Sequence, residues 1–239
     1  MKPKLQLRVQ RYGWNRAAHV YDQAWSRQLA PAQELLLRMA NLLEGEKVLE
    51  QACGSGLVTL RIAEAVGPKG EVLATDLSEE MLEHGRKRVE DVGLENVIFR
   101  RMNAEAMDVP AGAFDASLCA LGLMYVPDPG AALNEMARVL RPGGRAVAAV
   151  WGERSRCGWA DIFPIVDARV ETDVCPLFFQ LGTGDTLRSQ MEDAGFREVE
   201  CERLSTTLSY PSSEAAVEAA FAGGPVAMAY SRFDESTRL

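Results

Sequence analysis

The chain has few of the residues that build disulfide frameworks, metal centres or membrane spans. Its five cysteines, Cys53, Cys119, Cys157, Cys175 and Cys201, are odd in number and widely spaced, and none falls in a C-x-x-C pair. That usage argues against a disulfide framework and against a structural zinc site, and predicts reduced, mostly buried thiols. No apolar run approaches the ~18–20 residues that a bilayer crossing needs. The longest candidate, residues 116–126, is interrupted by Ser117 and Gly122. The opening stretch MKPKLQLRVQRYGW is basic but has no apolar core of the signal-peptide kind, which predicts a cytoplasmic protein. Internal repeats and low-complexity linkers are also missing.

Positive charge is in short supply. Lys plus Arg number 26 against 34 Asp plus Glu, a formal charge of −8. Such a field repels phosphate backbones and anionic bilayers, and no basic stripe stands out against it. The densest basic run, Arg86-Lys87-Arg88, is followed by Glu90 and Asp91 and reads as a solvated helix face. A nucleic-acid partner is therefore not expected. What remains is ordinary globular material: 239 residues, 47% apolar and 25% charged, enough for one α/β domain and a small cap.

From residue 46 to 151 two kinds of segment alternate. Apolar or β-branched runs at 47–51, 71–76, 97–101, 114–121 and 145–151 predict strands, and helical stretches at 57–66, 78–92 and 129–140 lie between them. Ser78 with acidic residues after it suits a helix start, and Gly93 and Arg141-Pro142-Gly143-Gly144 supply the stops. The series predicts an α/β fold with a doubly wound, mostly parallel sheet, whose ligands sit at the carboxyl ends of the strands. Before it, residues 15–28 read as one helix, and Pro31 opens another that runs to residue 43 with Gly45 as its stop. Trp14, Ala18, Tyr21 and Trp25 fall on one face of the first helix. After residue 151 come a Trp/Phe/Pro-bearing segment to 184, a helix at 185–195, a strand-like run at 197–209, and a helical tail from 213 to 239 interrupted at Gly223-Gly224-Pro225. The expected division is an N-terminal helical cap at 1–45, a main domain at 46–210 with a cap insertion at about 152–184, and a C-terminal helical segment at 211–239.

Three strand ends carry chemistry. Val48-Leu49-Glu50-Gln51-Ala52-Cys53-Gly54-Ser55-Gly56 leads from a strand into a helix, and Gly54 and Gly56 permit positive φ and close backbone approach to a ligand. A dinucleotide fingerprint wants a third glycine, but Thr59 stands beyond Leu57-Val58. Asp76, ending the second strand, can accept from both hydroxyls of a ribose. Asn103-Ala104-Glu105, after the third strand, offers an amide, a carboxylate and backbone N–H groups to an adenine edge.

These stretches, with ATDLSEEM at 74–81, NAEAMDVPAGAFD at 103–115 and RVLRPGG at 138–144, resemble the successive motifs of class I S-adenosylmethionine-dependent methyltransferases. The nearest group is typified by the ubiquinone/menaquinone-biosynthesis C-methyltransferases. The likeness covers roughly residues 45–151, with weaker support in MEDAGF at 191–196. It implies a Rossmann-like sheet of seven strands with an antiparallel final hairpin, S-adenosyl-L-methionine as cofactor and a small-molecule methyl acceptor.

Position by position, the resemblance places backbone groups around Ala52 and Gly54 at the methionine moiety, with Glu50, Gly56 and Thr59 close by. It places Asp76 at the ribose, Leu77 against the adenine, Asn103, Ala104 and Glu105 at the adenine edge, and Ala120 on the methionyl side. Glu50 stands where Asp is commoner. Ala52 stands where Gly is frequent, a change that needs only an unstrained φ. No convincing seventh strand follows 197–209, which points to a shorter sheet or to a chain that continues past Leu239.

Methyl transfer is an in-line displacement that rests mainly on orientation, so no strict triad is expected. A base would help a hydroxyl or acidic-carbon acceptor, and His19 in the cap helix is the candidate; His84 reads as an outer-face residue. Tyr21 is assigned to the cofactor, and Trp14 and Trp25 to packing. Tyr125, Trp151, Trp159 and Phe163 are placed where an apolar acceptor pocket would form. No Asn/Asp-Pro-Pro-aromatic signature of amino-group methylation is present. The expected activity is O- or C-methylation of a small apolar or aromatic molecule. The alternatives are a nicotinamide-dependent oxidoreductase and a cofactor-binding protein without turnover.

Overall fold

The computed structural model describes residues 3–169 and 178–238. Cys175 and the middle of the 152–184 segment lie outside the described residues. The elements run α1 (Pro3–Ala40), β1 (Lys47–Gln51), α2 (Leu57–Val66), β2 (Glu71–Asp76), α3 (Glu79–Asp91), β3 (Val97–Arg101), β4 (Phe114–Ala120), α4 (Pro129–Val139), β5 (Leu140–Ala149), α5 (Ile162–Asp167), α6 (Thr186–Asp193), α7 (Ser213–Phe221), α8 (Ala227–Tyr230) and α9 (Glu235–Arg238). No described helix is long and apolar enough to cross a membrane.

The five strands form one parallel sheet in the order β3-β2-β1-β4-β5. Val48, Leu49, Glu50 and Gln51 of central β1 are all buried, as expected for a strand covered on both faces. Chain order reverses between β1 and β4, so a crevice opens beyond their carboxyl ends. Capping fixes the helices around it. The Ser78 hydroxyl accepts the Met81 N–H at the start of α3, and Asp128 accepts the Ala131 N–H at the start of α4, with Pro129 in the first turn. Met81, Leu82, Gly85 and Val89 form the buried face of α3. The core on one side of the sheet joins Leu36 and Ala40 of α1 to Val58, Ile62 and Val66 of α2. On the other side, Leu133 and Met136 of α4 meet Leu181 and Met191.

The flanks depart from the sequence reading. Residues 3–40 are one helix, with Pro31 inside it rather than starting a second one. Proline removes a single backbone hydrogen bond, while Trp25, Leu29, Gln33, Leu36 and Ala40 on both sides of it are buried, so packing outweighs the local break. Residues 197–209 form no strand. Side chains reach their backbone at two places: Gln28 bonds both the carbonyl and the N–H of Ser209, and Arg188 donates to the Val199 carbonyl. The described sheet therefore has five parallel strands and no antiparallel hairpin, shorter than the resemblance implied. β4 stops at Ala120, one residue earlier than expected, because Leu121 turns to a left-handed φ of 59°. β5 ends at Ala149, leaving Trp151 beyond it. The tail breaks twice, at 222–226 and again at 231–234.

Candidate active site

The site grows from the end of β1. The Cys53 N–H donates to the Thr75 carbonyl at 2.9 Å, and the chain then turns through Gly54 (φ 56°) and Gly56 (φ 80°) into α2. Gly56 also lies against α3, where a Cβ would sit 3.0 Å from the Gly85 Cα. Ala52 shares the left-handed geometry, with φ 52°, so the alanine at this position is strained and not the relaxed substitution expected from the sequence. Leu121, across the crevice at the end of β4, is strained in the same sense.

Two carboxylates lie at this edge. The Asp76 Oδ2 accepts the Gly54 N–H at 2.9 Å, and its Oδ1 accepts the Ser78 N–H at 2.8 Å. Burial pushes the Asp76 carboxyl above the usual carboxylate range against the pull of the Ser78, Gly54 and Leu77 N–H groups. Glu50 is 1% exposed and takes a hydrogen bond from the Thr59 hydroxyl. Burial pushes its carboxyl up to about 8 despite that bond, and the Asp76 charge adds to the rise. Cys53 and Cys119 are buried thiols pushed up by desolvation, Cys119 to about 12, so neither is a thiolate nucleophile. Cys157 and Cys201 are also unpaired, and Cys201 is exposed.

A cavity of about 760 Å³, including its open mouth, lies over this edge. Of the residues singled out from sequence, Tyr21, Ala52, Gly54, Asp76, Leu77, Asn103, Ala104 and Ala120 line it. Glu50, Gly56 and Thr59 do not; they support the floor from below. Glu105 is not on the wall either. Its Oε1 accepts the Asp128 N–H at 2.7 Å and its Oε2 accepts from the Asn103 Nδ2 at 3.1 Å, so it ties the loop after β3 to the start of α4. His19 is exposed, and its ring lies edge-on to His84 with centroids 5.9 Å apart, away from the cavity wall.

The roof is α1. Leu7, Gln10, Trp14 and Tyr21 recur at helical spacing along the face turned to the cavity. Trp14 packs edge-on against Tyr21 (5.8 Å) and against Tyr125 (4.8 Å), so it belongs to the cavity and not only to packing. Trp25 instead joins Trp151, Trp159 and Tyr210 in a cluster that meets the cavity through Tyr21 and Leu121, and Trp151, Trp159 and Phe163 are absent from the cavity wall. Burial, aided by Asp22 and Asp76, pushes the Tyr21 hydroxyl up, so it stays protonated. Side-chain bonds hold the helix down. Asp22 takes hydrogen bonds from the Ser55 hydroxyl and from Arg88, Arg88 donates to the Ser55 carbonyl at 3.0 Å, and the Ser78 hydroxyl donates to Asn15 at 2.7 Å. Asp22 and Arg88 escaped the sequence reading because their pairing spans 66 residues.

The donor set discriminates between adenosine cofactors. A carboxylate has about four lone-pair positions. Two at Asp76 are taken by backbone N–H groups, which leaves two for a vicinal diol. Leu77, Met102 and Ala104 offer an apolar bed for a planar base, while among the described residues no Lys or Arg lines the cavity and the Asp76 carboxylate is on its wall. That charge suits a sulfonium and opposes a pyrophosphate. Gly54, whose N–H a dinucleotide phosphate would need, already donates to Asp76. No cluster of potential metal ligands occurs among the described residues.

Comparison with known proteins points the same way. Residues 29–157 match the ubiE/COQ5 methyltransferase family. The chain is 35% identical over 168 residues to a demethylmenaquinone methyltransferase of Geobacillus stearothermophilus, spanning 68% of this chain and 71% of that protein. It is 33% identical over 171 residues to a ubiquinone/menaquinone biosynthesis C-methyltransferase UbiE of Shewanella sp. (strain W3-18-1), covering 65% and 68%. A solved SAM-dependent methyltransferase from Aquifex aeolicus superposes with a TM-score of 0.54 at 25% identity, over 69% of this chain and 79% of that one. The strand-end motifs, the acidic floor and these relatives together show that the chain belongs to the ubiE/COQ5 methyltransferase family and is an S-adenosylmethionine-dependent methyltransferase.

Proposed function

We propose that the acceptor is an apolar, ring-bearing small molecule of the quinol type, methylated at a ring carbon. The observation that carries this reading is the cavity mouth. Trp14, Tyr21 and Tyr125 line the cavity as one aromatic group, Trp14 edge-on to the other two, and among the described residues no cationic side chain lines the wall to hold an anionic acceptor. The relatives named for menaquinone and ubiquinone biosynthesis support the same acceptor class.

Asp76 would hold the ribose hydroxyls, Leu77 and Met102 would pack on the base, Asn103 and the Ala104 N–H would address its edge, and Ala52, Gly54 and Ala120 would bound the methionyl end. When bound there, S-adenosylmethionine supplies an electrophilic methyl group on a cationic sulfur. The chain's own contribution is positional. Trp14, Tyr21 and Tyr125 orient the acceptor ring, and orientation alone lowers such barriers by up to about 7–11 kcal/mol. Tyr21, held neutral, serves as a hydrogen-bond donor rather than a base. His19 has no part in this reading, since it faces away from the cavity. The displaced acceptor proton passes to water at the open mouth.

The four cysteines among the described residues are unpaired, which supports a reducing, cytoplasmic setting, and nothing in this reading involves nucleic acid. The helical cap at 1–45 and the 152–184 insertion are the segments we assign to acceptor selection. Incubation with S-adenosylmethionine and a short-tailed, ring-demethylated naphthoquinol under reducing conditions tests the proposal. A one-methyl mass gain on the ring, with matching S-adenosylhomocysteine, is expected. Turnover of amine or thiol acceptors with none on the quinol contradicts it.

A further inference from the structure

The overall charge of −8 disfavours anionic surfaces, yet residues 1–21 contain Lys2, Lys4, Arg8, Arg11 and Arg16 and no Asp or Glu. In α1 the last four of these are not scattered. With 3.6 residues per turn, Leu5, Arg8, Tyr12 and Arg16 follow one another up a single face, and all four are exposed. Leu5 is 49% exposed and Tyr12 46%, both large apolar side chains left open to solvent. The Arg11 guanidinium lies over the Tyr12 ring at 4.7 Å. Lys4, Arg8, Arg11 and Arg16 make no ion pair with any described residue. On neighbouring α3 three acidic residues are already engaged, Glu79 and Glu83 by Arg86 and Asp91 by Lys87.

The opposite face of the same helix carries Leu7, Gln10, Trp14 and Tyr21, which line the cavity. By rotation about the helix axis the two faces are half a turn apart. From this arrangement we propose that the Leu5–Arg8–Tyr12–Arg16 face docks on the headgroups of an anionic bilayer, with α1 lying in the interface and its other side roofing the active site. Charge complementarity selects the occupant: unpaired basic groups meet lipid phosphates, while Leu5 and Tyr12 enter the acyl boundary, as in interfacial amphipathic helices. An apolar acceptor dissolved in the bilayer would then reach the cavity around one helix diameter. That consequence rests on the acceptor class proposed above; the docking itself does not.

Flotation of the full chain with phosphatidylcholine vesicles, with and without phosphatidylglycerol, tests docking without reading methyl transfer. Binding to the phosphatidylglycerol vesicles alone is expected, and it should weaken as salt rises. An Arg8→Glu/Arg16→Glu double variant should lose at least about 20-fold in vesicle affinity, since each basic group near such a surface is a substantial part of the attraction. Tyr12→Ser should lose a few-fold. Both should keep wild-type S-adenosylhomocysteine affinity and circular dichroism, and Lys87→Ala should bind vesicles like wild type. No preference for anionic vesicles, or unchanged binding by the double variant, overturns the proposal. So does tighter binding of a single-stranded RNA than of vesicles at the same salt, which would assign the stripe to nucleic acid.

Discussion

The floor and the roof of the active-site cavity are built by different means. The floor consists of parallel strand ends whose groups are placed by backbone hydrogen bonds and buried carboxylates: Asp76 on Gly54 and Ser78, and Glu50 on Thr59. The roof is a single helix held by side chains distant in sequence, Asp22 with Ser55 and Arg88 and Asn15 with Ser78. Changes in the floor should therefore act directly on stability, in either sign. Changes in the roof should mostly alter how long ligands stay.

The largest effect expected is in the floor and depends on pH. The folded chain keeps Glu50 protonated up to about pH 8, whereas the unfolded chain ionises it in the ordinary carboxylate range. Its contribution to stability is thus complete at acid pH and lost as pH rises through the folded value. Glu50→Gln should remove that slope, so that the variant exceeds wild type by a few kcal/mol above pH 8. Urea titrations between pH 5 and 9, read as a difference between the two proteins, would show parallel curves if the carboxyl were not so perturbed.

Gly122→Ala is next. A Cβ at Gly122 would lie 2.4 Å from the Ala52 Cβ and 2.9 Å from the Cys119 Sγ, forcing the strained β1 turn outward. A loss of about 1–3 kcal/mol is expected in denaturant unfolding, with weaker cofactor binding alongside. Intact stability would mean that the floor is more pliant than the backbone bonding implies.

Asp22→Ala should cost only about 1 kcal/mol, because its partners are partly exposed. Hydrogen exchange should nonetheless accelerate in α1 while β1 and β2 amides stay protected, and S-adenosylhomocysteine should dissociate several-fold faster. Equal acceleration in the strands would erase the distinction between floor and roof. The smallest effect has the opposite sign. Ala52→Gly should gain roughly 0.5–1 kcal/mol by relieving φ 52°, less the added freedom of the unfolded chain, and thermal unfolding measures it.

The same contrast explains what could be read from the sequence. Floor residues lie in short local motifs at strand ends, so spacing placed Gly54, Asp76 and Asn103 on the cavity wall. Local reading could not see that Ala52 would be strained, since its φ is set by the turn closing onto β2. In the roof, local propensity makes Pro31 a boundary, whereas burial of Trp25, Leu29 and Leu36 carries the helix through it. Starting the helix at residue 15 also hid the basic stripe. Arg8 and Arg16 become neighbours on one face only in a helix that already includes residue 8. The 197–209 run alternates like a strand, but pairing needs a free sheet edge in register, and side chains bond its backbone at Val199 and Ser209 instead.

The most direct test of the account is calorimetric titration of S-adenosylhomocysteine into wild type, Asp76→Ala and Asp76→Asn, with circular dichroism confirming that each is folded. Two hydrogen bonds from a diol to a charged carboxylate predict a loss of about 100-fold in Asp76→Ala and a smaller loss in Asp76→Asn. Wild-type affinity in a folded Asp76→Ala protein would contradict the placement of the cofactor at this edge of the sheet.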